Sequence, residues 1–175
     1  LDAMCQCLNS EKTIETILKE LNALAIDYSG CATRDVNADL LFKVVEVRAA
    51  SRYFDTEEEP LFYKDSAIMF YGKNGLLITN KAIYRIKKNG LRKILFSKLE
   101  SLHLIDILNG RDECKWCFNG IREFDLDAIG IDSKCSGTIM ALVCLLFKKN
   151  QPGKKIKFFN HPPKSIILLI VYVYF

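Results

Sequence analysis

The sequence is poor in the residues from which catalytic and metal sites are assembled. It holds two histidines, His103 and His161, and neither has a cysteine or aspartate beside it that would suggest a ligand set or a triad. Its seven cysteines are odd in number and scattered without regular spacing, which argues against a secreted disulfide framework and for a reducing cytoplasm. Cys114-Lys115-Trp116-Cys117 has the redox spacing but lies in strand-like sequence, where an offset of three sends the side chains to opposite faces. No second Cys-x-x-Cys completes a four-ligand zinc site, so no metal is expected. Gly72-Lys73-Asn74-Gly75 lacks the longer glycine pattern and the Lys-Ser/Thr ending of a phosphate loop, and it joins two strands rather than opening a helix. Asp125, Asp127 and Asp132 read as solvated strand-end residues. Nothing assembles an active site, and the expectation is a protein that is not an enzyme and carries no cofactor.

Long apolar runs, internal repeats and low-complexity tracts are missing as well. Ser165 to Phe175 carries no charge but spans only 11 residues, where a membrane span needs about 20. Its β-branched and aromatic content suits a strand equally well. No basic start with a small-residue cleavage site marks a signal peptide. The chain opens on Leu1 rather than Met, as a fragment of a longer product would.

What is present is an ordinary globular composition: 175 residues, 50% hydrophobic and 26% charged, enough for one domain with a real core. The net charge of +4 is too mild to imply nucleic acid. Its distribution says more. Lys81, Arg85, Lys87, Lys88, Arg92, Lys93 and Lys98 fall in a stretch without one acid, whereas Asp55 to Glu59 carries four acids. Two oppositely charged poles are expected.

Ser10 can cap a helix whose Ile14, Ile17, Leu18, Leu21, Leu24 and Ala25 share one face, with Gly30 as its stop. A second helix from Asn37 carries Leu40, Leu41, Val44, Val45 and Val47, and the pair reads as a helical hairpin. The acidic run and Pro60 mark a loop, which divides the chain into a helical segment 1–54, a β-rich domain 55–150 and a basic, then apolar tail 151–175. Short strands are expected at 61–64, 67–71, 75–79, 82–88, 92–97, 100–106, 113–118 and 121–126. In the fourth, Ala82, Tyr84 and Ile86 face inward and Arg85 and Lys87 face water. Asn89-Gly90 supplies a tight turn, and Thr138 to Lys149 reads as an apolar helix that is deeply packed or covers an open end of the sheet. Lys154, Lys155 and Lys157 form a basic patch in the tail.

Asp65, the Gly72 to Gly75 turn, Ile78 to Lys81, Tyr84, Trp116 to Gly120 and Phe124 to Leu126, followed by that helix, resemble bacterial pleckstrin-homology-like (PH-like) domains over about residues 61–149. The resemblance implies an α+β fold: a bent antiparallel β-sheet or barrel closed by a C-terminal helix, here preceded by a two-helix segment. It also implies a binding or scaffolding role, with a protein partner met at a sheet edge or beside the terminal helix. The candidate contacts for an anionic ligand are Lys81, Arg85, Lys87, Lys88, Arg92 and Lys93, which make an anionic membrane surface the alternative partner and the membrane the alternative location. Nucleic acid is disfavoured, because Tyr84 faces inward and no aromatic platform is evident.

Overall fold

The computed structural model describes residues 12–28, 30–47, 54–55, 57–66, 74–87, 90–105, 115–121, 133–155 and 157–159. Helix α1 (Ile14–Asp27) starts where the Thr13 hydroxyl accepts the Thr16 N–H at 3.2 Å, satisfying an otherwise orphaned donor. Ser10, the expected cap, lies outside the described residues. Ile17, Leu21, Leu24 and Ala25 recur at helical spacing and are buried. Complete burial of Ile17 and Leu21 contributes roughly 2 kcal/mol apiece. The second helix, α2 (Ala38–Val47), buries Leu41 and Val44. Asn37, just ahead of it, takes a positive φ of 56° and donates from its amide to the Cys31 carbonyl at 2.9 Å.

The two helices are not a simple hairpin, because strand β1 (Cys31–Thr33) lies between them. This strand pairs with β2 (Pro60–Asp65), and an antiparallel sheet continues through β3 (Gly75–Thr79), β4 (Ala82–Lys87) and β5 (Gly90–Leu95) in the order β1-β2-β3-β4-β5. The β1–β2 ladder crosses the division expected at residues 54 and 55. A short 3₁₀ turn, Phe96–Lys98, leads to β6 (Ser101–Ile105), which pairs antiparallel with β7 (Lys115–Phe118). Helix α3 (Ser133–Asn150) follows, and β8 (Lys157–Phe159) returns parallel to β6, giving a second sheet ordered β7-β6-β8. Lys157 of the expected basic tail is thus a strand residue.

The fold is α+β, as expected, but the five-stranded sheet is open: among the described residues its edges, β1 and β5, do not pair with each other. It is covered on both faces instead. Phe62, Leu76, Ile78, Ile83 and Ile94 pack with α1, α3, Leu102 and Phe118 in one cluster. Tyr63, Leu77, Ala82, Tyr84 and Ile86 pack with Leu41 and Val44 of α2 in the other. All five residues of β3 are therefore buried, a pattern more usual for central strands of doubly covered sheets than for antiparallel sheets with one wet face. The candidate strands 67–71 and 121–126 lie outside the described residues, save Ile121, which bridges to Phe118.

Candidate interaction surface on the β4–β5 hairpin

The structure separates the six basic residues singled out by the sequence. Lys87 and Arg92 are exposed, and Lys88 lies outside the described residues. Lys81 donates to Asp55 Oδ2 at 2.9 Å and Glu57 Oε2 at 3.1 Å, and these hydrogen bonds, Asp55 first, hold its ammonium above the ordinary lysine value. Lys93 meets Glu58 Oε2 at 2.9 Å and lies 4.9 Å from the centroid of the Tyr84 ring. The acidic and basic runs are therefore not opposite poles; the acidic run lies on the basic hairpin and neutralises part of it.

The correction at Arg85 has a definite cause. Alternation placed Ala82, Tyr84 and Ile86 inward, as observed, but the opposite face is covered too, so Arg85 is buried rather than facing water. Its Nη1 donates to the carbonyls of Gly75 and Ile86, both at 3.0 Å, while Nε has no hydrogen-bond partner. Burial lowers its pKa, opposed by the nearby Tyr63 and Asp65, and the ordinary arginine value is so high that the charge persists.

Sequence reasoning missed the residue that organises this region. The Glu58 side chain is fully buried: Oε1 accepts from Thr79 Oγ1 at 2.6 Å and from the Tyr84 hydroxyl at 2.7 Å, while Oε2 takes Lys93. Phe54 stacks on the Tyr84 ring with centroids 5.1 Å apart. Asn80 fastens the same loop, accepting the Glu59 N–H at its side chain and returning its own N–H to the Glu59 carbonyl, both at 2.9 Å. Period-2 alternation carries no signal that would single out Glu58 among its acidic neighbours. With the Asp55 N–H also donating to Oε2 at 3.4 Å, four donors engage the two carboxylate oxygens, which places Glu58 to hold the loop.

Tyr84 is pushed above the ordinary tyrosine range, by burial first and then by its hydrogen bond to Glu58. A folded-state pKa raised above the unfolded value of about 10 leaves the stabilisation intact below that pH and erodes it above, by up to about 1.4 kcal/mol per pH unit. The urea midpoint of the wild-type chain is therefore expected to fall more steeply than that of Tyr84→Phe between about pH 9 and about pH 11. Parallel slopes would remove Tyr84 as the cause.

The outer edge of the hairpin has its own geometry. The Phe96 N–H to Lys81 carbonyl bond, 2.9 Å, sets the phase of the β4–β5 ladder, so Ile83–Ile94 and Arg85–Arg92 are the hydrogen-bonded pairs. Leu91 and Leu95 consequently turn their main-chain N–H and C=O groups away from β4. Among the described residues no strand pairs with that side of β5. His103 lies opposite Cys117 in the β6–β7 register, and Cys117 is buried, with Cys114 outside the described residues. Among the described residues no group of three or more His, Cys, Asp or Glu side chains is placed to hold a metal ion, and no helix is long and apolar enough to cross a membrane. No protein-family model, curated protein or solved structure matches the chain.

Proposed function

We propose that the chain is a non-catalytic binding module, PH-like in the order of its elements, whose β5 edge takes up an extended acidic segment of a partner protein. The observation that carries this reading is the outer side of β5, where among the described residues no strand pairs and the main-chain groups of Leu91 and Leu95 face outward beside the exposed Lys87 and Arg92. Main-chain pairing supplies affinity in strand addition, and flanking side chains supply selectivity. The charge selects the occupant. A second copy pairing antiparallel through β5 would bring basic strand against basic strand, which is how edges discourage self-association, whereas an acidic strand would complete the charge. The anionic-membrane alternative through the same hairpin is less favoured, because Lys81, Arg85 and Lys93 are already engaged within the fold.

The probe is an eight-residue peptide of alternating glutamate and valine, titrated into the full chain at low and high salt. Leu91→Pro deletes an N–H that β4 does not use, so the sheet should persist while peptide binding is lost. Arg92→Glu, at an exposed position, is expected to weaken binding at least about fivefold, the worth of one charge-assisted contact. On complex formation the Leu91 amide should become protected from exchange. A peptide that fails to bind the wild-type chain, or binds both variants as tightly, sinks the proposal.

A further inference from the structure

A second basic surface lies away from the hairpin. Lys148 and Lys149 end α3, Lys154 and Lys155 follow the turn at Pro152 and Gly153, and Lys157 opens β8. The fold adds Lys98 to them. Gln151, buried at the end of α3, donates its side-chain amide to the carbonyls of Phe96 and Leu99, which flank Lys98. The Lys157 N–H donates to the Glu100 carbonyl at 3.0 Å, and the Lys154 N–H to the Gln151 carbonyl at 3.2 Å. Residues some fifty positions apart in sequence are thereby fastened at one end of the molecule.

All six lysines are exposed, and among the described residues none has an ion-pair partner. Among the described residues, Glu15 of α1 lies within electrostatic reach of Lys149, and Glu100 stands in the chain segment whose main chain Lys157 pairs with. The imbalance extends along the sequence, since no acidic residue occurs after Asp132. Such an excess raises the free energy of the isolated protein through self-repulsion. It is relieved by a surface of opposite charge.

We propose that this end of the molecule docks on an anionic lipid bilayer through Lys98, Lys148, Lys149, Lys154, Lys155 and Lys157. The residue type selects the occupant. Lysine ammonium groups are compact point charges on flexible stems, without the planar fork that reads a phosphate or a base edge in fixed geometry. They suit a diffuse field of headgroups. Among the side chains described, the aromatic rings nearest Lys98 and Lys148 in sequence, Phe96 and Phe147, are buried and offer no platform for stacking bases. The contact is independent of the β5 edge, so either surface can fail without the other.

The test is sedimentation of the full chain with phosphatidylcholine vesicles, with and without phosphatidylserine, at low and high salt. Binding is expected only to the phosphatidylserine vesicles and should weaken as salt rises. Each lysine near an anionic surface is worth about fivefold in affinity, so Lys148→Gln, Lys149→Gln, Lys154→Gln and Lys155→Gln together should weaken binding by roughly a hundredfold or more. The Lys154→Gln and Lys155→Gln pair alone, outside α3, leaves the helix intact and should still weaken binding by about twentyfold. The hairpin pair Lys87→Gln and Arg92→Gln should bind as the wild type does. The proposal is overturned by wild-type protein that ignores phosphatidylserine, by a Lys154/Lys155 variant that binds undiminished, by an equal loss in the hairpin pair, or by tighter binding to duplex DNA than to the vesicles.

Discussion

Gly75→Ala is expected to destabilise the protein by about 3 kcal/mol, at the upper end of what overpacking usually costs. A Cβ at this position would collide with the Lys64 carbonyl oxygen and would sit 2.5 Å from the Tyr63 hydroxyl and 2.6 Å from Tyr63 Cε2. The reason lies in the β2–β3 register. Gly75 pairs with Asp65 and Leu77 with Tyr63, so the Tyr63 side chain crosses toward Gly75, and its hydroxyl donates to the Asn74 carbonyl at 3.2 Å. The tyrosine occupies the space that a side chain at 75 would claim. A ring can swing aside; the Lys64 carbonyl belongs to the ladder and cannot move without parting the strands. In urea titration the midpoint should fall with little change in slope, and in a thermal scan by about 6–12 °C. Tyr63→Phe should not rescue the variant, since the main-chain collision remains. A loss below about 1 kcal/mol would show that β2 and β3 can spread there at little cost.

The same glycine shows what the sequence makes legible. Strand β3 falls at 75–79 as read, because Gly75 opens it, the Thr79-Asn80 turn ends it, and an apolar run between turn residues needs no tertiary information to be seen. The N-terminal helix is equally clear from its stripe. Strands β1 and β8 are not: three residues each are too few for any period to register, and both are strands only because β2 and β6 offer them a ladder. Arg85 illustrates the limit of alternation. A period of two says which residues share a face but not how many faces are covered, and here helices cover both.

The basic hairpin marks a second limit. The sequence gives the charges of Lys81 and Lys93 but not their company, and their acidic partners arrive from 24 to 35 residues away. Charge runs of opposite sign in one chain of modest net charge attract each other once folding brings them close. What remains for a ligand on the hairpin is Lys87 and Arg92 among the described residues, with the main chain of the β5 edge. The lysine cluster at the end of α3 was legible only in part. Lys154, Lys155 and Lys157 stand together in the sequence, but Lys98 joins them through the two hydrogen bonds of Gln151.

Glu58→Ala is expected to cost about 3 kcal/mol, the scale for removing one member of a buried charged pair. The loss has separable parts. The Tyr84 hydroxyl loses its 2.7 Å hydrogen bond to the carboxylate, and hydrogen bonds to charged groups contribute about 1.5–3 kcal/mol. Thr79 retains its bond to the Ala82 carbonyl at 3.2 Å and contributes little to the loss. Lys93 is 23% exposed at its side chain, so its ammonium can recover hydration, which keeps the total at the lower end of the range. Glu58→Gln tests the role of charge. It preserves shape and an acceptor for the two hydroxyls but presents an N–H pair to Lys93, and should cost less than the alanine variant and more than Lys93→Met. With Glu58 gone, the loop is held by Asn80 and the exposed Lys81 pairs, and exposed pairs contribute at most about 1 kcal/mol. Amides of the 57–59 segment should then exchange faster than the β3 amides they lie against, while wild-type protein protects both. The steep alkaline fall traced to Tyr84 should also soften, because part of what holds its proton is the Glu58 carboxylate. A Glu58→Ala variant that keeps both its stability and its alkaline slope would mean that Phe54 stacking and the Asn80 bonds fix the loop without the carboxylate.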